Sequence, residues 1–199
     1  MCNLYRLSNS AAEVARMFNA KTDTLPNVGA EVFPGYPGLV VADGELSAMV
    51  WGFPLVLKSK RTGEPLKPKP VNNARTDKLD SYMWRSSFAE RRCLIPLSAW
   101  AEAEGAKGSK TRTWLSQLDT EVFACAGIWR ESDEWGRCFS MVMTDAAGDA
   151  AEVHSRMPAL LAENDYDTWT GSDPSAAKTL CKPWQGNLSI DRTEESWAR

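Results

Sequence analysis

Cys2 offers chemistry that no other position in this chain can. Its side chain is small enough for the preceding methionine to be trimmed away, which leaves an α-amine and a thiol on adjacent carbons. With reference pKa values of about 7.7–8.0 and about 8.5, both groups are partly deprotonated near neutral pH, and both are nucleophiles. Together they can condense with an aldehyde and close a five-membered thiazolidine ring. The alternative is an ordinary core residue, since free cysteine is among the most buried residue types.

Three further features carry chemistry. Asn73 and Arg75 close a basic stretch, Glu102 follows an apolar run, and His154 is the only histidine. A carboxyl group and an imidazole can move protons near neutral pH, and a guanidinium presents a planar, permanently charged fork to a phosphate. Each has a plainer explanation, because a lone histidine is often a hydrogen-bonded structural residue and one Glu or Arg is weaker still. Spacing alone does not bring the four together.

The net charge of −3 over 199 residues conceals an asymmetry: ten Lys/Arg face four Asp/Glu between Lys58 and Arg92, which leaves the remainder at −9. One anion-facing surface would produce this pattern, and so would a solvated basic loop. Nine tryptophans supply candidates for stacking on bases, although most are expected in the core. With 43% apolar and 25% charged residues, the composition is that of a globular protein, and one domain over 1–199 is the default. No apolar run is long enough to span a bilayer, and the first thirty residues lack the pattern of a secretory signal. An intracellular protein with no membrane association is therefore expected. Five cysteines with no close pair, and one histidine, argue against a disulfide framework and a structural zinc site.

These residues must be positioned by elements that the pattern predicts only in part. A short helix is expected over 11–18, capped by Asn9 or Ser10. An irregular loop follows over 21–38, and it contains Phe33, Pro34 and Gly35. Asp43-Gly44 predicts a hairpin joining 39–42 to 45–51. Four prolines and five basic residues exclude a central strand over 52–70 and predict an extended or mobile loop. A helix over 81–92 with one aromatic face, a strand over 93–97 and a charged turn over 104–112 come next. Strands are expected over 113–117, 122–130 and 139–144, the last two as a hairpin. The tail predicts helices over 164–170, capped by Asn164, and 174–180 behind Asp173, then a strand near Leu188. The fold class is α+β, with a largely antiparallel, barrel-like curled sheet and peripheral helices.

Met1-Cys2, Asn73-Ala74-Arg75, Cys93-Leu94-Ile95-Pro96 followed by Trp100-Ala101-Glu102, Thr144, and His154-Ser155-Arg156-Met157-Pro158 stand in the order and approximate separations of one family. The chain resembles the SOS response-associated peptidase (SRAP) family over residues 1 to about 190. The resemblance implies recognition of abasic sites in single-stranded DNA and formation of a covalent thiazolidine crosslink through Cys2. It implies that Asn73 orients Cys2 and the opened sugar, and that Glu102 and His154 form an acid/base pair. Arg75, Thr144, Pro34 and Arg156 are the DNA-binding residues it implies. It implies no cofactor, no metal, a monomer, and a cytoplasmic protein that joins the nucleoid when bound to DNA.

The sequence also departs from the family pattern. Asn3-Leu4 stands where the family usually has Gly-Arg, Ala103 stands where an aromatic usually follows the glutamate, and the segment after Trp51-Gly52 lacks further tryptophans. Weaker or differently shaped DNA binding is expected from these losses. Two rivals remain: a thiol (auto)peptidase with Cys2 as nucleophile and His154 as base, and a noncovalent single-strand-binding module in which Cys2 is incidental.

Overall fold

The computed structural model describes residues 2–197. The chain opens on a short strand, β1 (Tyr5–Arg6), and a helix, α1 (Ala11–Met17). Ser10 caps that helix, and Glu13 reaches back to close a capping box. After β2 (Glu31–Val32) come β3 (Pro37–Ala42) and β4 (Glu45–Trp51), joined through Asp43 and Gly44 at φ 53° and 75°. Two consecutive positive φ values make the twisted two-residue turn that favours Asp-Gly.

Residues 52–70 form a β-ribbon in place of the extended or mobile loop expected there. Strand β5 (Phe53–Leu55) pairs antiparallel with β6 (Lys69–Val71), and Leu66 continues the ladder by donating to the Leu57 carbonyl at 2.7 Å. The prolines are tolerated because Pro54 and Pro70 face each other in a two-stranded sheet, where neither is asked for a central ladder bond. Strand β7 (Asn73–Arg75) follows at once.

The helix expected over 81–92 is shorter, α2 (Arg85–Glu90), because Arg92 already belongs to β8 (Arg92–Leu97). Tyr82 lies outside that helix and is almost fully exposed, while Trp84 and Phe88 are buried. Glu102 follows the expected strand, and it lies in a further one, β9 (Ala99–Glu104), that the pattern does not predict. The middle of the chain supplies β10 (Thr111–Gln117), β11 (Phe123–Ser132) and β12 (Gly136–Asp145), and the last two form the expected hairpin.

A five-residue helix, α3 (Asp149–Val153), appears where the pattern predicts none; its start is set by Gly148 at φ 52°. Strands β13 (Arg156–Pro158) and β14 (Leu160–Leu161) lead to α4 (Tyr166–Thr170) and α5 (Pro174–Thr179). Asn164 does not cap α4: it lies in a 3-10 turn, and Asp165 occupies the cap position. Asp173 caps α5 as expected, with Pro174 at its first position. The last strand is β15 (Leu188–Ser196).

Two sheets result. One has the order β15-β10-β9-β1-β2, antiparallel throughout. In the other, β12-β4-β3-β8-β11 closes on itself because β12 also pairs with β11, giving a five-stranded barrel. The barrel strands are apolar on both faces. Along β12, Phe139, Met141 and Met143 pack in one cluster with Cys2, Tyr5 and Trp100, while Cys138 and Val142 pack in a second with Val14, Phe88, Trp169 and Ala177. Such two-sided burial explains why these strands read as continuous apolar runs.

Candidate functional site

Strand β1 is two residues long, yet it carries the amino-terminal segment between two partners. Tyr5 pairs with both Val32 of β2 and Trp100 of β9, and Ala101 donates its N–H to the Leu4 carbonyl at 2.9 Å. Cys2 is thereby drawn into the core, where it is fully buried. Its thiol lies 3.4 Å from the Leu4 carbonyl. Burial pushes the thiol pKa well above its ordinary value, and the Glu102 carboxylate raises it further. The thiol is therefore protonated at neutral pH.

The backbone of Cys2 is held from the opposite side. Its carbonyl accepts from the side-chain amides of both Asn72, at 2.9 Å, and Asn73, at 2.8 Å. Asn72 also donates to the Asn3 side chain at 3.1 Å, and its own carbonyl receives the Trp51 indole N–H at 3.0 Å and the Met141 N–H at 2.9 Å. Asn72 is thus the junction of β4, β12 and the amino-terminal segment, and sequence reasoning passed over it. The doubled asparagine at the end of the basic stretch was the available signal. The Asn3 side chain is committed to this bond.

The placement of Asn72 and Asn73 depends on the ribbon. Gly52 has φ +123°, and a Cβ there would lie 2.4 Å from the Pro70 side chain, so only glycine lets the two ribbon strands close this tightly. Beyond the ribbon, β7 runs parallel to β12, with Asn73 beside Met141 and Arg75 beside Met143. Alternation puts Asn73 and Arg75 on one face of β7.

Glu102 is 3% exposed on β9, between β1 and β10. Burial raises its pKa from 4.5 to about 7, which lets one carboxyl give and take protons near neutral pH. His154 follows α3, and its neighbours Ala150 and Met157 pack in the Cys2 cluster. The Arg156 N–H donates to Nδ1 at 2.9 Å, so the neutral ring carries its proton on Nε2; the Arg156 carbonyl, 3.1 Å away, can accept from Nδ1 once the ring is charged. Burial lowers the His154 pKa and keeps the ring neutral at pH 7.

Arg75 grips Asp77 with two bonds, 2.9 and 2.7 Å, and Arg156 lies 3.9 Å from the same carboxylate and 3.2 Å from Asp145. Arg75 and Arg156 therefore share one acidic partner. Thr144 is buried on β12 and pairs with Met157, one residue from the Asp145–Arg156 pair. Pro34 is half-buried in the turn after β2, where Gly35 donates to the Trp51 carbonyl at 2.7 Å and faces Pro70. The structure brings Cys2 and Asn73 into direct contact, couples Glu102 to Cys2 electrostatically, and links Arg75 to Arg156 through Asp77. Pro34 stands apart at the base of the ribbon.

Among the described residues no group of His, Cys, Asp and Glu is arranged to hold a metal ion, and no helix is long and apolar enough to cross a membrane.

The family model described as SOS response associated peptidase (SRAP) matches residues 1–195. No curated protein matches the chain. A crystal structure of a Bacteroides thetaiotaomicron protein is similar at a TM-score of 0.78 and 18% identity, covering 96% of this chain and 91% of that one. A Bordetella bronchiseptica protein gives 0.78 and 19%, over 96% and 99%. A phage-related protein from Bordetella bronchiseptica gives 0.66 and 19%, over 97% and 94%. At these identities the likeness is one of fold.

Proposed function

The chain belongs to the SOS response associated peptidase (SRAP) family, and on that premise we propose that it captures abasic sites in single-stranded DNA as a thiazolidine on Cys2, freed by removal of Met1. Met1 lies outside the described residues. The observation that carries this proposal is the pair of asparagine amides on the Cys2 carbonyl. They orient Cys2 through its main chain, which is what an α-amine nucleophile requires.

An abasic deoxyribose is mostly a closed hemiacetal. Protonated Glu102 assists opening to the aldehyde by donating to the ring oxygen. The neutral α-amine then attacks C1′, and water leaves as the carbinolamine becomes an imine. The thiol adds to C1′ while its proton passes to the imine nitrogen, with Glu102 and His154 as shuttles. The net change is one aldehyde plus one aminothiol giving one thiazolidine plus one water. A thiol held protonated by burial suits this order, with the amine first and the sulfur second. Arg75 and Arg156 hold the flanking phosphates, and Thr144 and Pro34 border the strand.

A thiol peptidase, which the family's name favours, needs a thiolate at rest, and the surroundings of Cys2 oppose one. The test is single-stranded DNA with one abasic site, incubated with the protein and run on a denaturing gel. Wild type should give a shifted band that Cys2→Ala abolishes. No shifted band, or a stable one from Cys2→Ala, overturns the proposal.

A further inference from the structure

Both arginines assigned to phosphate are already occupied by carboxylates. A 3-10 turn over Thr76–Lys78 begins directly after β7 and folds Asp77 back onto the Arg75 fork. Asp77 also reaches Arg156, which is paired with Asp145 as well. Two guanidinium groups and two carboxylates leave this quartet neutral, although the Lys58 to Arg92 stretch around it is strongly basic. The bidentate grip on Asp77 is the geometry a guanidinium offers to a phosphate.

We propose that Asp77 is an internal counterion at the DNA-binding site: its carboxylate holds Arg75 in phosphate-binding geometry and must be displaced by a backbone phosphate before a strand can seat. This rests on the assignment of Arg75 to DNA made above. The placement supports it, since Arg75 shares a face of β7 with Asn73, whose amide grips Cys2. Asp77 is half-exposed, so the exchange needs no unfolding. One consequence separates this role from a purely structural one. Binding a phosphate normally releases condensed cations from the strand, and single strands show a salt slope of about −0.7 per phosphate neutralised. Where an aspartate already neutralises the arginine, its release offsets that contact, and the wild-type slope is shallower than its contacts would give.

The experiment is the anisotropy of a labelled, undamaged oligothymidylate titrated with wild type, Asp77→Asn, Arg75→Ala and Glu64→Gln across about 50–200 mM salt. Glu64 sits in the same basic stretch with no ion pair among the described residues, so it controls for net charge. Asp77→Asn should bind about two- to fivefold tighter at about 50 mM salt, in line with a surface ion pair. Its slope should steepen by about 0.7, with a smaller change for Glu64→Gln. An unchanged slope in Asp77→Asn, weaker binding, or an equal change in Glu64→Gln overturns the counterion role while leaving DNA binding intact. If Arg75→Ala matches wild type, or wild type does not bind, the phosphate assignment itself falls and takes this proposal with it.

Discussion

Replacing Glu102 with glutamine should make the protein more stable and less active, and the size of the gain can be worked out. The rise of the Glu102 pKa from 4.5 to about 7 comes from burial, so ionising this carboxyl in the folded state costs free energy that the unfolded chain does not incur. At about 1.36 kcal/mol per pH unit, that cost is on the order of 3 kcal/mol. The sign follows from linkage. A carboxyl with a raised folded pKa leaves stability untouched below its unfolded value, near 4.5, and progressively lowers it as pH climbs to about 7. Above that the loss is complete. Glutamine has nearly the same shape and never ionises, so Glu102→Gln should gain on wild type by about 3 kcal/mol between pH 4.5 and pH 8. For a chain of this size each kcal/mol moves Tm by about 2–4 °C. Urea unfolding of both proteins at several pH values reads the difference directly, and single-turnover crosslinking on the same samples should show the variant slower, with its rate no longer governed by a group titrating near 7. Parallel stability profiles for the two proteins would refute the claim that this carboxyl is buried at a cost.

Asn72→Ala and Asn73→Ala should each slow crosslinking by about 2- to 12-fold, the worth of one neutral hydrogen bond. The double variant should fall by more than the product, because the Cys2 carbonyl then lacks both donors; a product of single effects in pre-steady-state rates would contradict shared support. Gly52→Ala should lose at least about 2 kcal/mol in urea unfolding, from backbone strain and contact with Pro70, and should open residues 53–71 to limited proteolysis. A chain that keeps Met1 or bears an amino-terminal tag should leave abasic DNA uncrosslinked on a denaturing gel while still binding single strands.

Elements governed by neighbouring residues were legible in the sequence. Asp43-Gly44 imposes its own turn, Asp173-Pro174 starts its own helix, and Ser10 with Glu13 closes its own cap. What distant partners decide was not. The ribbon forms because Gly52 and Pro70 meet across eighteen residues, and proline content alone argues for a loop. Asn164 has the side chain of a cap, but the chain enters α4 through a 3-10 turn and shifts the cap position to Asp165. Cys2, Asn73, Glu102 and His154 were visible through ordered motifs that resemble a family. Asn72 was not, because its role exists only where β4, β12 and the amino-terminal segment converge, and no local pattern records that meeting. The partnership of Asp77 with two arginines is likewise a matter of the turn that follows β7.

The position of β1 has a consequence for how the protein is made. Its inner partner, β9, ends at Glu104, and the amides that hold Cys2 belong to residues 72 and 73. At about 5–20 residues per second, the ribosome needs roughly 5–20 s to deliver that much chain. Through that interval β1 has only β2 to pair with, and the residues that enclose Cys2 are still absent. Cys2 is enclosed only once β9 arrives, so the removal of Met1 proposed above has its opening before that point.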